Sequence, residues 1–329
     1  MAASRYGGMQ LLCRKPHRTV TPARIGIWLC FLLAVPWLGG CNSFFFQPDN
    51  FLYYTPDEFN LTYEEVVFRG PEGNRITGWF LPAREPVQGT IIHFHGNAAN
   101  ITNHVYAVRW LPPLGYSVLL FDYRGYGVSE GTASRSGAIA DGAAAINYVR
   151  GRKDVDPTRL IVYGQSLGGA LAVNALALAG GKGVRALIVE GGFASYREVV
   201  RLIMNDTWFL WPFQYPVAYG LFSDHMGPEN GVPALTAVPL LVVHGEADQT
   251  VPFEAGKQLF DIYPGGDKTL WAIPKLRHME IFGGKGSPWR KKLVAYMDGK
   301  MEAADKEKLE AGRKGMRRRS GPGWHLRVN

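Results

Sequence analysis

Apolar residues fall in short unbroken blocks along this chain, and the blocks alternate with longer stretches of helical periodicity. Blocks rich in Val, Ile, Leu and Phe stand at Thr90–Phe94, Ser117–Phe121, Leu160–Tyr163, Ala186–Val189, Leu240–Val243 and Leu270–Ile273. Each has the length of a strand, and the lack of polar alternation marks strands covered on both faces. Helical stretches lie near Thr102–Trp110, Ser136–Arg150, Ser166–Ala179, Glu254–Ile262 and Glu280–Met297. This alternation predicts an α/β fold on a mostly parallel sheet, with helices on both faces. Two further runs, Tyr63–Arg69 and Ile76–Leu81, flank Gly70-Pro71-Glu72-Gly73-Asn74 and read as a hairpin. They bring the sheet to about eight strands. In such a sheet the ligand crevice lies beyond the carboxyl ends of the strands.

The rhythm breaks once. Nearly fifty residues separate Glu190 from Pro239, whereas a crossover needs only about a dozen. The segment from about 193 to 236 is therefore read as a small cap above the crevice. Its run from Trp208 to Tyr215, with Tyr219 and Phe222, is expected either to pack the insert or to form an apolar wall or lid over the site. Residues 41–62 form an aromatic lead-in, including Phe44-Phe45-Phe46, expected to pack back onto the body. No repeat or linker divides residues 63–299, which read as one domain.

The chemistry starts at Tyr163-Gly164-Gln165-Ser166-Leu167-Gly168-Gly169. A strand, a Gly-x-Ser-x-Gly turn and a helix in succession force the serine into a strained conformation, its hydroxyl exposed at the helix N-terminus. Gly164 and Gly168 are required where strand and helix pass too closely for β-carbons. A serine hydroxyl needs a base to take its proton and an acid to orient that base. His278 follows the last predicted strand, just before the closing helix, and is the best-placed base. His93, His95 and His244 fall in or at the ends of strands, where packing or backbone hydrogen bonding is expected, His104 and His225 precede helix or cap segments without a motif, and His17 and His325 lie near the chain ends. Asp248 follows the penultimate strand, 82 residues after Ser166 and 30 before His278, and is the expected acid. Glu246 and Glu190 are its rivals, and a turn or helix cap is its structural alternative. Oxyanion donors are expected from the backbone N–H of Leu167 and of Asn97, with Ala98 next to it in the loop after the early strand.

With His95-Gly96-Asn97-Ala98-Ala99-Asn100, Asp122-Tyr123-Arg124-Gly125-Tyr126-Gly127, the serine motif and His244-Gly245-Glu246-Ala247-Asp248-Gln249-Thr250-Val251-Pro252 in that order, residues 60–298 resemble α/β-hydrolases. The resemblance is to small-cap members called serine aminopeptidase- or lysophospholipase-like. It implies a Ser166–His278–Asp248 serine hydrolase acting on a small-molecule or lipid ester through an acyl-enzyme, with Asp122 and Arg124 structural. Peptide or thioester cleavage on the same residues is the alternative within the class, and a non-catalytic envelope scaffold is the alternative outside it. No cofactor is implied, and neither a metal-ligand spacing nor a phosphate-binding glycine loop is present.

Charge changes the picture only at the ends. The 329 residues carry a net +8, yet residues 1–24 hold five basic side chains and no acid, and residues 300–329 hold nine basic and four acidic. The body between is left at −2, which gives no electrostatic case for nucleic acid. The basic start leads into uncharged Ile25–Leu38 and then Gly39-Gly40-Cys41. Leu38 to Cys41 resembles the lipobox of bacterial lipoproteins, which implies cleavage after residue 40, a lipid on Cys41 and an extracytoplasmic, membrane-tethered body. Asn42 in place of Asp at the next position points to the outer membrane of a Gram-negative cell. An uncleaved single span over Ile25–Phe46, or plain secretion, is the alternative. Residues 300–329 are expected to be a basic, disordered tail, with contact to anionic lipid as a second possibility.

Overall fold

The computed structural model describes residues 42–282 and 287–319. Residues 1–41, which include the expected leader and Cys41, and the last ten residues lie outside the described part. Eight strands form one sheet: β1 Glu64–Arg69, β2 Arg75–Leu81, β3 Gly89–Phe94, β4 Tyr116–Phe121, β5 Leu160–Gln165, β6 Val184–Glu190, β7 Leu240–Gly245 and β8 Lys268–Ile273. Their order across the sheet is β8-β7-β6-β5-β3-β4-β2-β1. Only β2 runs against its neighbours; the pairs from β4 to β8 are parallel. The order reverses around β3, and this leaves a crevice at the strand ends where neighbouring loops diverge.

Every residue of β3, β4, β5 and β7 is buried. Alternate side chains enter opposite cores. Ile92, Phe94, Val162 and Val189 face helices α2 (Arg135–Gly151) and α3 (Leu167–Ala179). Ile91, Ile161, Ile188 and Val243 face α1 (Ile101–Val108) and the closing helix α7 (Pro288–Arg319). Continuous apolar strands are thus explained by two cores, one on each side.

Between β6 and β7 the cap is built from α4 (Tyr196–Asn205), a 3-10 turn at Trp211–Phe213 and α5 (Gln214–Leu221). Ser195 starts α4 by accepting the Glu198 N–H at 3.0 Å, and Val199, Val200 and Met204 form its buried stripe. A further helix, α6 (Phe253–Ile262), follows β7, and short helical turns lie at Asn42–Phe45 and Pro228–Gly231.

The closing helix departs from expectation at both ends. It starts at Pro288 rather than Glu280, because proline at the first turn and the Ser287 hydroxyl, which accepts the Trp289 N–H at 3.3 Å, set its beginning there. It also runs to Arg319, so the expected disordered tail from residue 300 is corrected over 300–319. The charges there conceal a continuing apolar stripe: Met297, Met301 and Ala304 are each 1% exposed. Arg159 adds a bond to Asp305 at 2.7 Å.

Candidate active site

Ser166 joins β5 to α3 with φ 54° and ψ −122°, a conformation costing roughly 1–3 kcal/mol for a residue with a β-carbon. The surrounding geometry enforces it. A β-carbon on Gly164 would lie 2.5 Å from the Gly168 carbonyl oxygen, and one on Gly168 would lie 2.1 Å from that of Phe94. The Ser166 N–H donates to the Glu190 carbonyl at 2.8 Å, tying the turn to the end of β6.

The hydroxyl does not stand alone. His278 Nε2 is 3.0 Å from Ser166 Oγ, and His278 Nδ1 is 2.7 Å from Asp248 Oδ2. Residues 112 and 30 positions apart in the chain therefore form one row at the carboxyl end of the sheet. Gly191, at φ 60°, makes room for the ring, since a β-carbon there would come within 3.2 Å of His278. Asp248 also serves its own loop: Oδ1 accepts the N–H groups of Thr250 and Val251, both at 2.9 Å. Burial works against its charge, yet the hydrogen bonds from His244 and His278 and the His278 charge outweigh it and hold the carboxyl well below the usual range. His244 is fixed by the Val251 carbonyl, 2.9 Å from its Nε2. His244 opens the motif that also holds Asp248, but the sequence pointed only to packing or backbone hydrogen bonding for it.

The rival acids are placed elsewhere. Glu246 is exposed. Glu190 is buried and bound to the Tyr163 hydroxyl and, at 2.7 Å, to the Gln165 amide; burial raises its pKa. His93 faces Gln165 Oε1 at 2.9 Å, and burial pushes it down to about 3. His95 bonds the Gly96 carbonyl at 2.9 Å and is likewise held neutral by burial. That bond fixes the peptide whose other end is the Asn97 N–H. The next peptide is fixed as well, because the Asn97 carbonyl accepts from Gln47 N–H at 3.0 Å and from the Tyr126 hydroxyl at 2.7 Å. Asn97 and Ala98 both border the site.

A cavity of about 510 Å³ opens above Ser166. Leu167, Asn97 and Ala98 line it on one side, and Phe193, Val199 and Ile203 of the cap on another. Phe44 and Phe45 of the lead-in complete the apolar wall, a contribution that residues more than 100 positions from the serine could not announce in sequence. The aromatic run of the cap that suggested a wall, Trp208 to Tyr219, is not among the lining residues. Among the described residues no carboxylate lines this cavity. A second cavity of about 330 Å³ adjoins it through Asn103, His104 and Met279 and adds Tyr54, Tyr106 and Gln165.

Among the described residues no group of three or more His, Cys, Asp or Glu side chains could hold a metal. Among them, too, no helix is long and apolar enough to cross a membrane.

Comparison with known proteins agrees with this architecture. A family profile described as alpha/beta hydrolase fold matches residues 89–227, and one described as serine aminopeptidase, S33, matches residues 191–283. A protein of Escherichia coli K12 designated YfhR is 35% identical over 260 residues, spanning 78% of this chain and 86% of that protein. The Arabidopsis thaliana alpha/beta hydrolase domain-containing protein WAV2 is 30% identical over 79% of this chain and 85% of its own. Among solved structures, the Pyrococcus furiosus esterase Pf2001 superposes with a TM-score of 0.62 at 18% identity, over 78% of this chain and 98% of the esterase. At that identity the likeness is one of fold.

Proposed function

The chain belongs to the α/β-hydrolase family, and from that premise we propose that it is a serine hydrolase that cleaves carboxylic esters through an acyl-enzyme. The observation that carries this reading is the row Ser166–His278–Asp248, with contacts of 3.0 and 2.7 Å. In the first half-reaction His278 Nε2 takes the hydroxyl proton as Ser166 Oγ bonds to the ester carbon. Asp248 accepts the Nδ1–H and stabilises the imidazolium. The N–H groups of Leu167 and Asn97 receive the oxyanion. Collapse expels the alcohol, which leaves with the proton from His278. Water then attacks the acyl-enzyme by the same route, releasing the acid and restoring Ser166.

An ester is favoured over an N-terminal peptide by the cavity walls. An aminopeptidase must neutralise an α-ammonium group, and among the described residues no acidic side chain lines the cavity above Ser166. Its apolar wall of Phe44, Phe45, Phe193, Val199 and Ile203 suits an acyl chain instead. The fold neighbour from Pyrococcus furiosus is named an esterase, which agrees with this reading. Fluorophosphonate labelling with p-nitrophenyl ester turnover tests it. Ser166→Ala is expected to lose the label and at least 10⁴-fold in kcat; turnover at the wild-type level would defeat the assignment.

The same proposal places the body outside the cytoplasm, tethered through residues 1–41. Its support is the basic start, the uncharged Ile25–Leu38 and Gly39-Gly40-Cys41. The mass of the mature N-terminus tests it: an acylated Cys41 is expected, and an intact Met1 would favour an uncleaved span.

A further inference from the structure

Two independent features meet on one face of the molecule. No charged residue occurs from Thr207 to Phe222, and most of the aromatic side chains in that stretch point outward. Trp208 is 87% exposed, and Phe209, Trp211, Phe213, Tyr215 and Tyr219 are each at least half exposed. They contribute nothing to the cavity above Ser166. Tyr215 and Tyr219 carry Arg201 and Arg197 of α4 against their rings, each 5.6 Å from the centroid, and such a concentration of exposed aromatic rings marks a contact with something outside the molecule.

The second feature is where the chain enters the body. Phe44 packs edge-on against Phe222, the last residue of the same uncharged stretch, with ring centroids 5.4 Å apart. Phe44 also lines the cavity that holds Ser166. Only three residues upstream is Cys41, at the end of a segment without charge from Ile25 onward. The described chain therefore begins beside both the aromatic stretch and the cavity, and the tether proposed above, a lipid on Cys41 or an uncleaved segment before it, is attached within three residues of Phe44.

We propose that the exposed aromatic stretch Trp208–Tyr219 is a bilayer-contacting surface that sets the cavity above Ser166 against the lipid from which its ester is drawn. Tryptophan and tyrosine concentrate at membrane–water interfaces, where an apolar ring and a polar edge are both satisfied. A protein partner could also cover aromatic rings. The attachment of the proposed tether three residues from Phe44 favours lipid.

The contact itself stands apart from the esterase reading; only the delivery of substrate rests on it. The test uses the full-length chain on phosphatidylcholine vesicles with brominated acyl chains. Bromine is expected to quench a part of the tryptophan emission that is missing in the W208F/W211F variant, which keeps the surface apolar but removes the reporters. With W208D/W211D, hydrolysis of vesicle-borne p-nitrophenyl palmitate is expected to fall at least tenfold, while p-nitrophenyl acetate turnover in water stays within twofold. Equal quenching in wild type and W208F/W211F would overturn the proposal, as would palmitate hydrolysis unaffected by the aspartates. A dimer that W208D/W211D dissociates, with no bromine quenching in wild type, would assign the surface to a second copy instead. Lack of acetate turnover in wild type would sink the esterase reading, leaving the quenching to decide the surface.

Discussion

Asp248 divides its two oxygens between tasks. Oδ1 holds the loop through Thr250 and Val251, and Oδ2 faces His278. Asp248→Asn keeps one acceptor for the loop but presents the imidazole with the wrong partner, so kcat is expected to fall about 10⁴-fold with KM little changed. Its folded pKa lies below the unfolded value, so its stabilising effect is present above about pH 4 and is lost as the pH falls through the folded pKa. Asp122 has the opposite sign. Burial, offset in part by the Ile101 N–H at 2.9 Å and reinforced by the Asp49 charge, pushes its carboxyl up to about 7. The folded state favours the neutral acid, so stability is lost as the pH rises from about 4 towards 7. Asp122→Asn escapes that loss. Urea unfolding at pH 5 and pH 8 is expected to show wild type losing ground to D122N by on the order of 2–3 kcal/mol; a difference that does not vary with pH would refute the burial argument.

At the scale of elements, the strands lie within about two residues of where the apolar blocks placed them, because a block covered on both faces has no other use in so short a span. The closing helix was harder to delimit. Lys and Arg from residue 300 onward read as a solvated tail, yet they share the helix with Met301 and Ala304, which continue the buried stripe. Met301 also fills the space above Gly89, where a β-carbon would meet its Cε at 2.7 Å. Met301→Ala is therefore expected to cost about 2–4 kcal/mol, read as a lowered urea midpoint; a truly disordered position would cost nothing. The cap's helices were not predicted individually, since the same aromatic composition serves a packed core and an exposed face.

For the whole molecule, the cavity above Ser166 draws on three separate regions: the lead-in through Phe44 and Phe45, the early loop through Asn97, and the cap through Phe193, Val199 and Ile203. An apolar enclosure of about 510 Å³ predicts that kcat/KM rises with acyl length from acetate. The expected gain is about fourfold for each methylene buried, from ~0.8 kcal/mol apiece. A p-nitrophenyl ester series measures it, and a maximum at acetate would contradict the assignment of the wall. The order of strands and helices, the sharp turn at Ser166 and its two glycines were determined by the sequence itself, because each depends on backbone sterics and patterning within a few residues. The sequence named Asp248 ahead of Glu246 and Glu190, and tertiary structure alone decided that Phe44 and Phe45 close the cavity and that Trp208 to Tyr219 turn away from it. Those outcomes depend on packing between segments far apart in the chain, about 40 to 120 residues from Ser166, and no local pattern encodes which of two faces such a segment will bury.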